Sequence, residues 1–364
     1  MARIGIAGAG VLGRLLAWRL AREGHAVQVV DPAPGPDAPP TGSLLPGQPH
    51  AAGFTAAGML SPLAELDCGD VEVARLGWRS LPRWRALCAE LTPPGYPQPL
   101  MRQRGSLLLA HGSDAGAAQR VLARLQAAPD QPRPEALDAA ALHALEPAVA
   151  PNLTAWYLRD EGQVLPREML QALVHQCPEA QWHWGRRVQR VLPGELLLDD
   201  SQALRCDLAI DTRGLGAREQ VPGGLRGVRG EIVWLHAPGV SLQRPLRLLH
   251  PRHRVYLVPR PNDLIVVGAS EIESEDRSPV SLRSAVELMA AAHSVLPALA
   301  EARVVHQESN LRPATPDHAP VLQHQPGLLR LNGLFRHGWL IAPALVDDAL
   351  AACGLAPLVE TAHA

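Results

Sequence analysis

Three glycines near the start of the chain are spaced to bind the phosphates of a dinucleotide. Gly8, Gly10 and Gly13 form the pattern G-x-G-x-x-G. In this pattern the first glycine permits a tight turn, the second lets a pyrophosphate approach the backbone, and the third lets a helix pack closely on a strand. The free amide groups at the start of that helix attract phosphate oxygens. Asp31 is expected to bond a ribose hydroxyl, which argues against NADP but leaves NAD and FAD open.

Two arginines and a tyrosine in the second half of the chain have the chemistry of a carboxylate-binding pocket. Arg312 lies in N-L-R-P, Arg336 lies in G-L-F-R-H-G, and Tyr256 lies in R-V-Y-L-V-P-R. The planar guanidinium of arginine binds a carboxylate through two parallel hydrogen bonds. Structural ion pairs for the arginines and core packing for the tyrosine are the alternatives. A carboxylate pocket beside a dinucleotide would suit an oxidoreductase that acts on amino acids or hydroxy acids.

Other classes of site lack their sequence patterns. The chain has 15 histidines but no H-E-x-x-H, C-x-x-C, G-x-S-x-G or Walker A motif. His250 and His253 share a loop without evident partner ligands, so no metal site is predicted. The five cysteines, Cys68 among them, are scattered, as expected for reduced thiols in the cytoplasm. With 34 basic and 36 acidic residues, the composition indicates neither a nucleic-acid partner nor a membrane-binding patch. No stretch predicts a signal peptide or a membrane span.

The patterns also predict the elements that would position these residues. The apolar run around Ile4 and Ile6 predicts a buried strand, and the pattern after Gly13 predicts a helix that ends at Gly24. A second strand is predicted over 26–30. A Pro-, Gly- and Ala-rich stretch then predicts a loop, because proline removes backbone donors and breaks regular structure. So long a loop is unlike an NAD-binding domain, in which a second crossover helix follows soon.

The rest of the chain predicts a second domain. Runs of β-branched residues between 228 and 271, separated by Pro, Asn and Asp, predict an antiparallel sheet. Residues 203–214 are predicted to form one strand, and residues 328–353 a strand, a Gly-rich loop and a helix. Further helices are predicted over 71–92, 165–177 and 281–299, and over 114–148 with a Pro-rich break near 129–134. We therefore expect a mixed α/β fold, in which a Rossmann-like nucleotide-binding domain is interleaved with a domain built on an antiparallel sheet.

Several segments together resemble the D-amino-acid oxidase superfamily of flavoproteins, and within it the glycine oxidases of thiamine biosynthesis. In chain order they are the N-terminal fingerprint, AAGMLSPLAE, VRGE, VYLVPR followed by VVGAS, LRPATPD and GLFRHGWLIAPA. The resemblance covers nearly the whole chain. The sequence departs from the family at Ala52, Gly53 and Phe54, where Thr or Ser is usual, and at DTRG over 211–214.

The resemblance implies FAD as a non-covalent cofactor and assigns roles to individual residues. Arg312 would hold the substrate carboxylate, Arg336 would make a second substrate contact, and Tyr256 would line the pocket. The implied cofactor-binding residues are Gly8, Gly10, Val11, Leu12 and Gly13 at the pyrophosphate turn, Asp31 and Pro32 at the ribose, Ala57, Gly58 and Met59 beside the flavin, Val188 near the adenine, and Gly333, Leu334, Phe335, Arg336, His337, Gly338, Trp339 and Leu340 in the loop over the pyrimidine edge of the flavin.

The resemblance also implies a domain division and a reaction. Residues 1–85, 150–225 and 305–364 would form the FAD-binding domain, and residues 86–149 and 226–304 the substrate-binding domain. The enzyme would transfer a hydride from the α-carbon of glycine to flavin N5 and pass the electrons to oxygen, giving hydrogen peroxide. The imine or glyoxylate would serve thiazole synthesis. A D-amino-acid or sarcosine dehydrogenase with another acceptor, and a flavin-binding protein without turnover, are the alternatives. The oligomeric state stays open, with a homo-oligomer among the options.

Overall fold

The computed structural model describes residues 1–37, 50–66, 71–92, 99–127, 132–250 and 254–355. Much of the Pro-rich loop, together with Cys68 and His253, lies outside these ranges. In chain order, the strands of the described residues are β1 (Arg3–Ala7), β2 (Ala26–Asp31), β3 (Met59–Leu60), β4 (Met101–Arg102), β5 (Ser106–Ala110), β6 (Glu135–Leu137), β7 (Thr154–Leu158), β8 (Gly162–Val164), β9 (Gln181–Trp184), β10 (Val188–Leu192), β11 (Glu195–Leu198), β12 (Ala203–Arg205), β13 (Leu208–Asp211), β14 (Arg226–His236), β15 (Leu246–Leu249), β16 (Arg254–Arg260), β17 (Leu264–Gly268), β18 (Arg303–Ala314), β19 (Val321–Gln325) and β20 (Leu328–Asn332).

The α-helices of the same residues are α1 (Val11–Arg22), α2 (Ala52–Thr55), α3 (Pro62–Glu65), α4 (Val71–Leu91), α5 (Ala115–Ala127), α6 (Ala139–Leu145), α7 (Pro166–His175), α8 (Leu282–Val295) and α9 (Gly338–Ala352). Among the described residues, none of these helices combines the length and the apolar character needed to cross a bilayer.

A six-stranded sheet carries the glycine fingerprint. Its order is β19-β20-β13-β1-β2-β9, and all neighbours are parallel except β19 and β20. Ile4 and Ile6 of β1 pack with α1, α7 and α9, whereas Ala7 packs on the other side against β10 and β11. Both faces of the sheet are thus covered, which is why its strands are apolar runs rather than alternating ones. Rossmann-like topology is confirmed, with α1 joining β1 to β2.

An eight-stranded sheet, in the order β18-β14-β17-β16-β15-β5-β7-β6, confirms the predicted antiparallel sheet. Its neighbours are antiparallel apart from β15 and β5. Successive side chains of a strand point to opposite faces. Val255 and Leu257 accordingly pack under α8, whereas Tyr256 and Val258 pack with Ala57 on the opposite face. The second face is the one that meets the nucleotide-binding part of the chain.

Two predicted elements are wrong in detail. Residues 203–214 form two strands rather than one: β12 belongs to a three-stranded sheet with β10 and β11, and β13 belongs to the six-stranded sheet. Asp207 lies between them and accepts hydrogen bonds from Arg3, which fixes the change of direction. The helical prediction over 114–148, made with a Pro-rich break near 129–134, misses strand β6, which follows Pro134 and pairs with β7.

The domain boundaries stay a prediction. The six-stranded sheet draws its strands from three separate parts of the chain, as interleaved domains require. Strands β7 and β18 fall in ranges predicted for the FAD-binding domain, yet both pair within the eight-stranded sheet.

Candidate functional site

A cavity of about 1730 Å³ joins the two large sheets. At one end it is lined by the turns that follow β1, β13 and β20, and at the other by residues of β16 and β18. Ligands of parallel α/β sheets bind at this carboxyl edge of the strands. The cavity is larger than the roughly 300–1,000 Å³ typical of small-molecule pockets, so it has room for a dinucleotide together with a small substrate.

Most residues proposed from the sequence line this cavity: Gly8, Gly10, Val11, Leu12, Asp31, Pro32, Ala57, Gly58, Met59, Val188, Tyr256, Arg312, Leu334, Phe335, Arg336, Gly338, Trp339 and Leu340. Gly13, Gly333 and His337 are not among the residues that line it. Residues of the lining that the sequence did not single out include His50, Thr55, Glu65, Arg247 and Asn310.

The glycine-rich turn has the close contacts that only glycine permits. A Cβ at Gly13 would lie 1.8 Å from the Gly8 carbonyl oxygen, and a Cβ at Gly8 would lie 2.7 Å from the Thr212 carbonyl oxygen. Gly8 also has a φ of +99°, which side-chain-bearing residues rarely adopt. At Gly10, by contrast, the nearest atom to an added Cβ is that of Ala51 at 3.8 Å. The turn therefore leaves an open approach to the start of α1, as a bound diphosphate requires.

The carboxylate of Asp31 binds backbone amides at the edge of this turn. Its Oδ2 accepts a hydrogen bond from the Ala9 amide (2.6 Å), and its Oδ1 accepts one from the Ala33 amide (2.8 Å). A carboxylate has about four acceptor sites, so lone pairs remain for a further donor such as a ribose hydroxyl.

Arg14 is a buried cation directly behind the turn. Its guanidinium donates to the carbonyl oxygens of Ala9 (2.8 Å) and Leu170 (2.6 Å). It also lies over the rings of Phe54 and Trp184, at 5.1 and 5.4 Å from their centres. Burial lowers the pKa of Arg14 to about 10, so the group stays charged at neutral pH. Phe54, one of the departures from the family pattern, therefore supports this cation instead of presenting a hydroxyl.

A hydrogen-bonded network around the buried carboxylate of Glu308 borders the cavity. Glu308 of β18 accepts hydrogen bonds from His50 Nε2 (2.8 Å), from Thr55 Oγ1 and from Arg167 Nη2 (3.0 Å). Its other oxygen also lies 3.4 Å from His306 Nε2. Burial works to raise the pKa of Glu308, but these hydrogen bonds and the Arg167 charge outweigh it and hold the pKa below its usual range. The network ties α2 and α7 to the edge strand of the eight-stranded sheet.

We expect Glu308→Gln to lower the free energy of unfolding of the apoprotein by about 3–5 kcal/mol at pH 7, because it removes the buried negative charge that pairs with Arg167. The pKa of Glu308 is lower in the folded than in the unfolded protein. Its contribution is thus fully present above the unfolded pKa, about 4.3, and fades as the pH falls below it. Denaturant titrations at pH 7 and about pH 4 should show the gap between wild type and variant narrowing in acid.

Glu301→Gln is the matched control, because the Glu301 side chain is 91% exposed. It should match the wild type at both pH values. A Glu308→Gln protein as stable as the wild type at pH 7 would refute the role given to the network.

Arg312 presents an uncompensated charge at the other end of the cavity. The half-buried guanidinium donates from Nη1 to the carbonyl oxygens of Ser270 (3.1 Å) and Arg229 (3.4 Å). Among the described residues, no carboxylate lies within ion-pair distance of it. A Cβ at Gly230 would lie 2.4 Å from Arg312 Nη2, so the missing side chain there makes room for the guanidinium. Burial lowers the pKa of Arg312 and raises that of Tyr256.

Arg336, in contrast, is neutralised by acidic neighbours. It lies 3.2 Å from Glu65 and 3.3 Å from Glu271. Glu65 also pairs with Arg247 at 3.4 Å, and His337 Nδ1 lies 3.3 Å from it. Burial works to raise the pKa of Glu65, but these positive groups hold it well below the usual range. His337 therefore contacts Glu65, the ion-pair partner of Arg336, and does not line the cavity.

Comparisons with known proteins agree with this geometry. The family model described as FAD dependent oxidoreductase (DAO) matches residues 3–349. A protein of Rhizobium etli that carries the name thiamine biosynthesis oxidoreductase ThiO is 37% identical over 347 residues, 95% of this chain and 94% of that protein. Glycine oxidase of Geobacillus kaustophilus is 24% identical and covers 99% of this chain and 97% of its own.

Solved structures share the fold. A crystal structure of glycine oxidase from Geobacillus kaustophilus superimposes with a TM-score of 0.81 at 23% identity, covering 100% of this chain and 97% of that one. One from Bacillus cereus superimposes with a TM-score of 0.80 at 20% identity, covering 97% and 95%.

The family match decides between the two cofactors that the fingerprint left open. The cradle at Gly8, Gly10 and Gly13 and the size of the cavity both fit FAD, which the family uses. The chain is an FAD-dependent oxidoreductase, and it belongs to the D-amino-acid oxidase (DAO) family.

Proposed function

We propose that this enzyme is a glycine oxidase that supplies thiamine biosynthesis. The observation that carries the proposal is the uncompensated guanidinium of Arg312, which lies beside Tyr256 in a cavity that also fits a dinucleotide. Relatives named thiamine biosynthesis oxidoreductase ThiO and glycine oxidase support the substrate and the pathway. The overall reaction converts glycine, oxygen and water into glyoxylate, ammonia and hydrogen peroxide.

Arg312 would bind the carboxylate of the substrate through its free donors, and Tyr256 would help to orient it. Glu65 and Glu271 hold Arg336 at the side of the same space. Since both carboxylates are engaged in ion pairs, we assign neither of them as a general base. The amine would enter deprotonated, so that binding and orientation are the main contributions of the chain.

Bound FAD would accept the hydride that leaves the α-carbon. We assign its diphosphate to the turn at Gly8, Gly10, Val11 and Leu12, which surrounds the start of α1. Asp31 and Pro32 would hold the ribose. The flavin ring is assigned to the part of the cavity bordered by Ala57, Gly58 and Met59 and by the loop over 334–340.

The test is oxidation of glycine, sarcosine and D-alanine by the purified holoenzyme. We expect glycine to bleach the flavin anaerobically and, in air, to consume oxygen with one hydrogen peroxide formed for each glyoxylate. Bleaching without oxygen consumption would instead indicate a dehydrogenase with another acceptor. A flavin that none of these amino acids bleaches would refute the proposal and indicate binding without turnover.

A further inference from the structure

Arg260 is a buried guanidinium with no carboxylate partner among the described residues. It donates from Nη1 to Gln163 Oε1 (2.8 Å) and to the Pro259 carbonyl (3.1 Å), and from Nη2 to the Ala57 carbonyl. Burial lowers its pKa to about 10, which leaves it charged at neutral pH. An unpaired buried charge is costly. Its counter-charge is therefore to be sought in a bound group.

Ala57 places this charge behind the wall of the cavity. Ala57 lines the cavity and belongs to one apolar cluster with Ile232, Val258 and Tyr256. The guanidinium that binds its carbonyl consequently lies near the end of the cavity that holds Tyr256 and Arg312. The charge of Arg260 acts at Tyr256: burial raises the pKa of Tyr256, and the charges of Arg312 and Arg260 oppose this rise.

Two guanidinium groups near Tyr256, those of Arg312 and Arg260, have no ion-pair partner among the described residues. Three guanidinium groups line this end, those of Arg247, Arg312 and Arg336, and two carboxylates accompany them. The remaining positive charge matches the carboxylate of an amino acid. Arg260 behind the wall adds a second positive charge that such a substrate does not match, and Glu168 opposes this charge without forming an ion pair with it. A flavin that takes up two electrons and one proton acquires one negative charge, and so provides the second anion.

We propose that Arg260 is the counter-charge of the reduced flavin. It is a positioning residue, since it acts through the segment that begins at Ala57 and does not itself line the cavity. The oxidised ring is neutral, so Arg260 stabilises the reduced form selectively and raises the midpoint potential of the bound flavin. The inference rests on the proposed location of the ring beside Ala57, Gly58 and Met59.

Removing the negative charge of Glu168 should change the flavin potential in the direction opposite to the loss of Arg260. It lies in the first turn of α7, two residues after Pro166. Pro166 packs against the flavin-side segment, because a Cβ at Gly58 would lie 2.8 Å from Pro166 Cγ. The negative charge of Glu168 acts on Arg260, where it opposes the effect of burial on the pKa. Removing that charge leaves the field of Arg260 stronger.

The experiment measures the midpoint potential of the bound flavin in Arg260→Gln, Arg260→Lys and Glu168→Gln holoenzymes against a reference dye, with xanthine and xanthine oxidase as reductant. We expect Arg260→Gln to disfavour the reduced form about tenfold, which equals about 30 mV for a two-electron couple. Arg260→Lys keeps the charge and should stay close to the wild type. Glu168→Gln should shift the potential in the positive direction.

Arg244→Gln is the matched control, because it removes a buried guanidinium that is paired with Glu146 at 3.0 Å. It should lower stability and leave the potential unchanged. An unchanged potential in Arg260→Gln, or an equal shift in Arg260→Lys, would overturn the proposal. If Arg260→Gln fails to fold, a Glu168→Gln potential at or below that of the wild type overturns it instead. No amino acid enters the measurement, so failure to oxidise glycine would leave this test intact.

Discussion

Replacing Arg312 with alanine should lower kcat/KM for glycine by roughly 10²–10³-fold, most of it through KM, while FAD stays bound. Truncating one partner of a buried charge pair costs about 2–5 kcal/mol. The loss falls on the substrate, because Arg312 bonds only to the backbone carbonyls of Ser270 and Arg229 in the part of the chain that the structure describes. Steady-state oxygen consumption against glycine concentration measures the effect, and flavin absorbance after desalting measures FAD retention.

Arg303→Ala is the control on the same strand, since its side chain is 73% exposed at the start of β18. Its kinetics should equal those of the wild type. Arg312→Lys keeps the charge but loses the paired donors, so it should fall between the two. Wild-type kinetics in Arg312→Ala would show that the substrate carboxylate is bound elsewhere.

Gly13→Ala should abolish FAD binding and lower the free energy of unfolding by at least about 3 kcal/mol, the upper range for overpacking. An added Cβ would lie 1.8 Å from the Gly8 carbonyl oxygen and 2.9 Å from Thr212 Oγ1. Helix α1 must therefore move away from β1 and β13, and the phosphate-binding turn opens. Flavin fluorescence titration of the apoprotein and urea unfolding measure the two losses.

Gly35→Ala tests whether any added methyl group would act in the same way. An added Cβ at Gly35 meets nothing within 4 Å, and the position requires no positive φ. This variant should bind FAD and unfold like the wild type. If Gly13→Ala did the same, the packing contact between turn and helix would not be what shapes the cofactor site.

The sequence predicts those parts of the site whose function depends on local geometry. The glycine fingerprint is such a case, since turn, helix start and strand end lie within residues 3–31. Arg312 and Arg336 could also be proposed, because a cation in a Gly- or Pro-rich setting stands out. Periodicity likewise gives the antiparallel sheet, as alternate residues of β16 face α8 and the cavity.

Partners that are distant in the chain leave no such local signal. Glu308 meets His50 across 258 positions, and Glu65 meets Arg336 across 271. Each of these residues alone resembles an ordinary surface charge. Neither the ion pairs that hold Arg336 nor the buried network around Glu308 could therefore be predicted from the sequence. Residues 203–214 show the same limit for backbone structure, because the apolar run does not reveal that its two halves join different sheets.

The sheet that binds the cofactor has a consequence for the order in which the protein forms. Strand β1 is flanked by β2, which follows directly after helix α1, and by β13, whose Leu208 pairs with Ile4. The next strand, β20, comes near the end of the described chain. Parallel pairing over such separations is slow, since a long loop must close before contacts form. During synthesis the six-stranded sheet can therefore be completed only after residues 328–352 have emerged. We accordingly expect FAD to bind late in folding, after the sheet has formed.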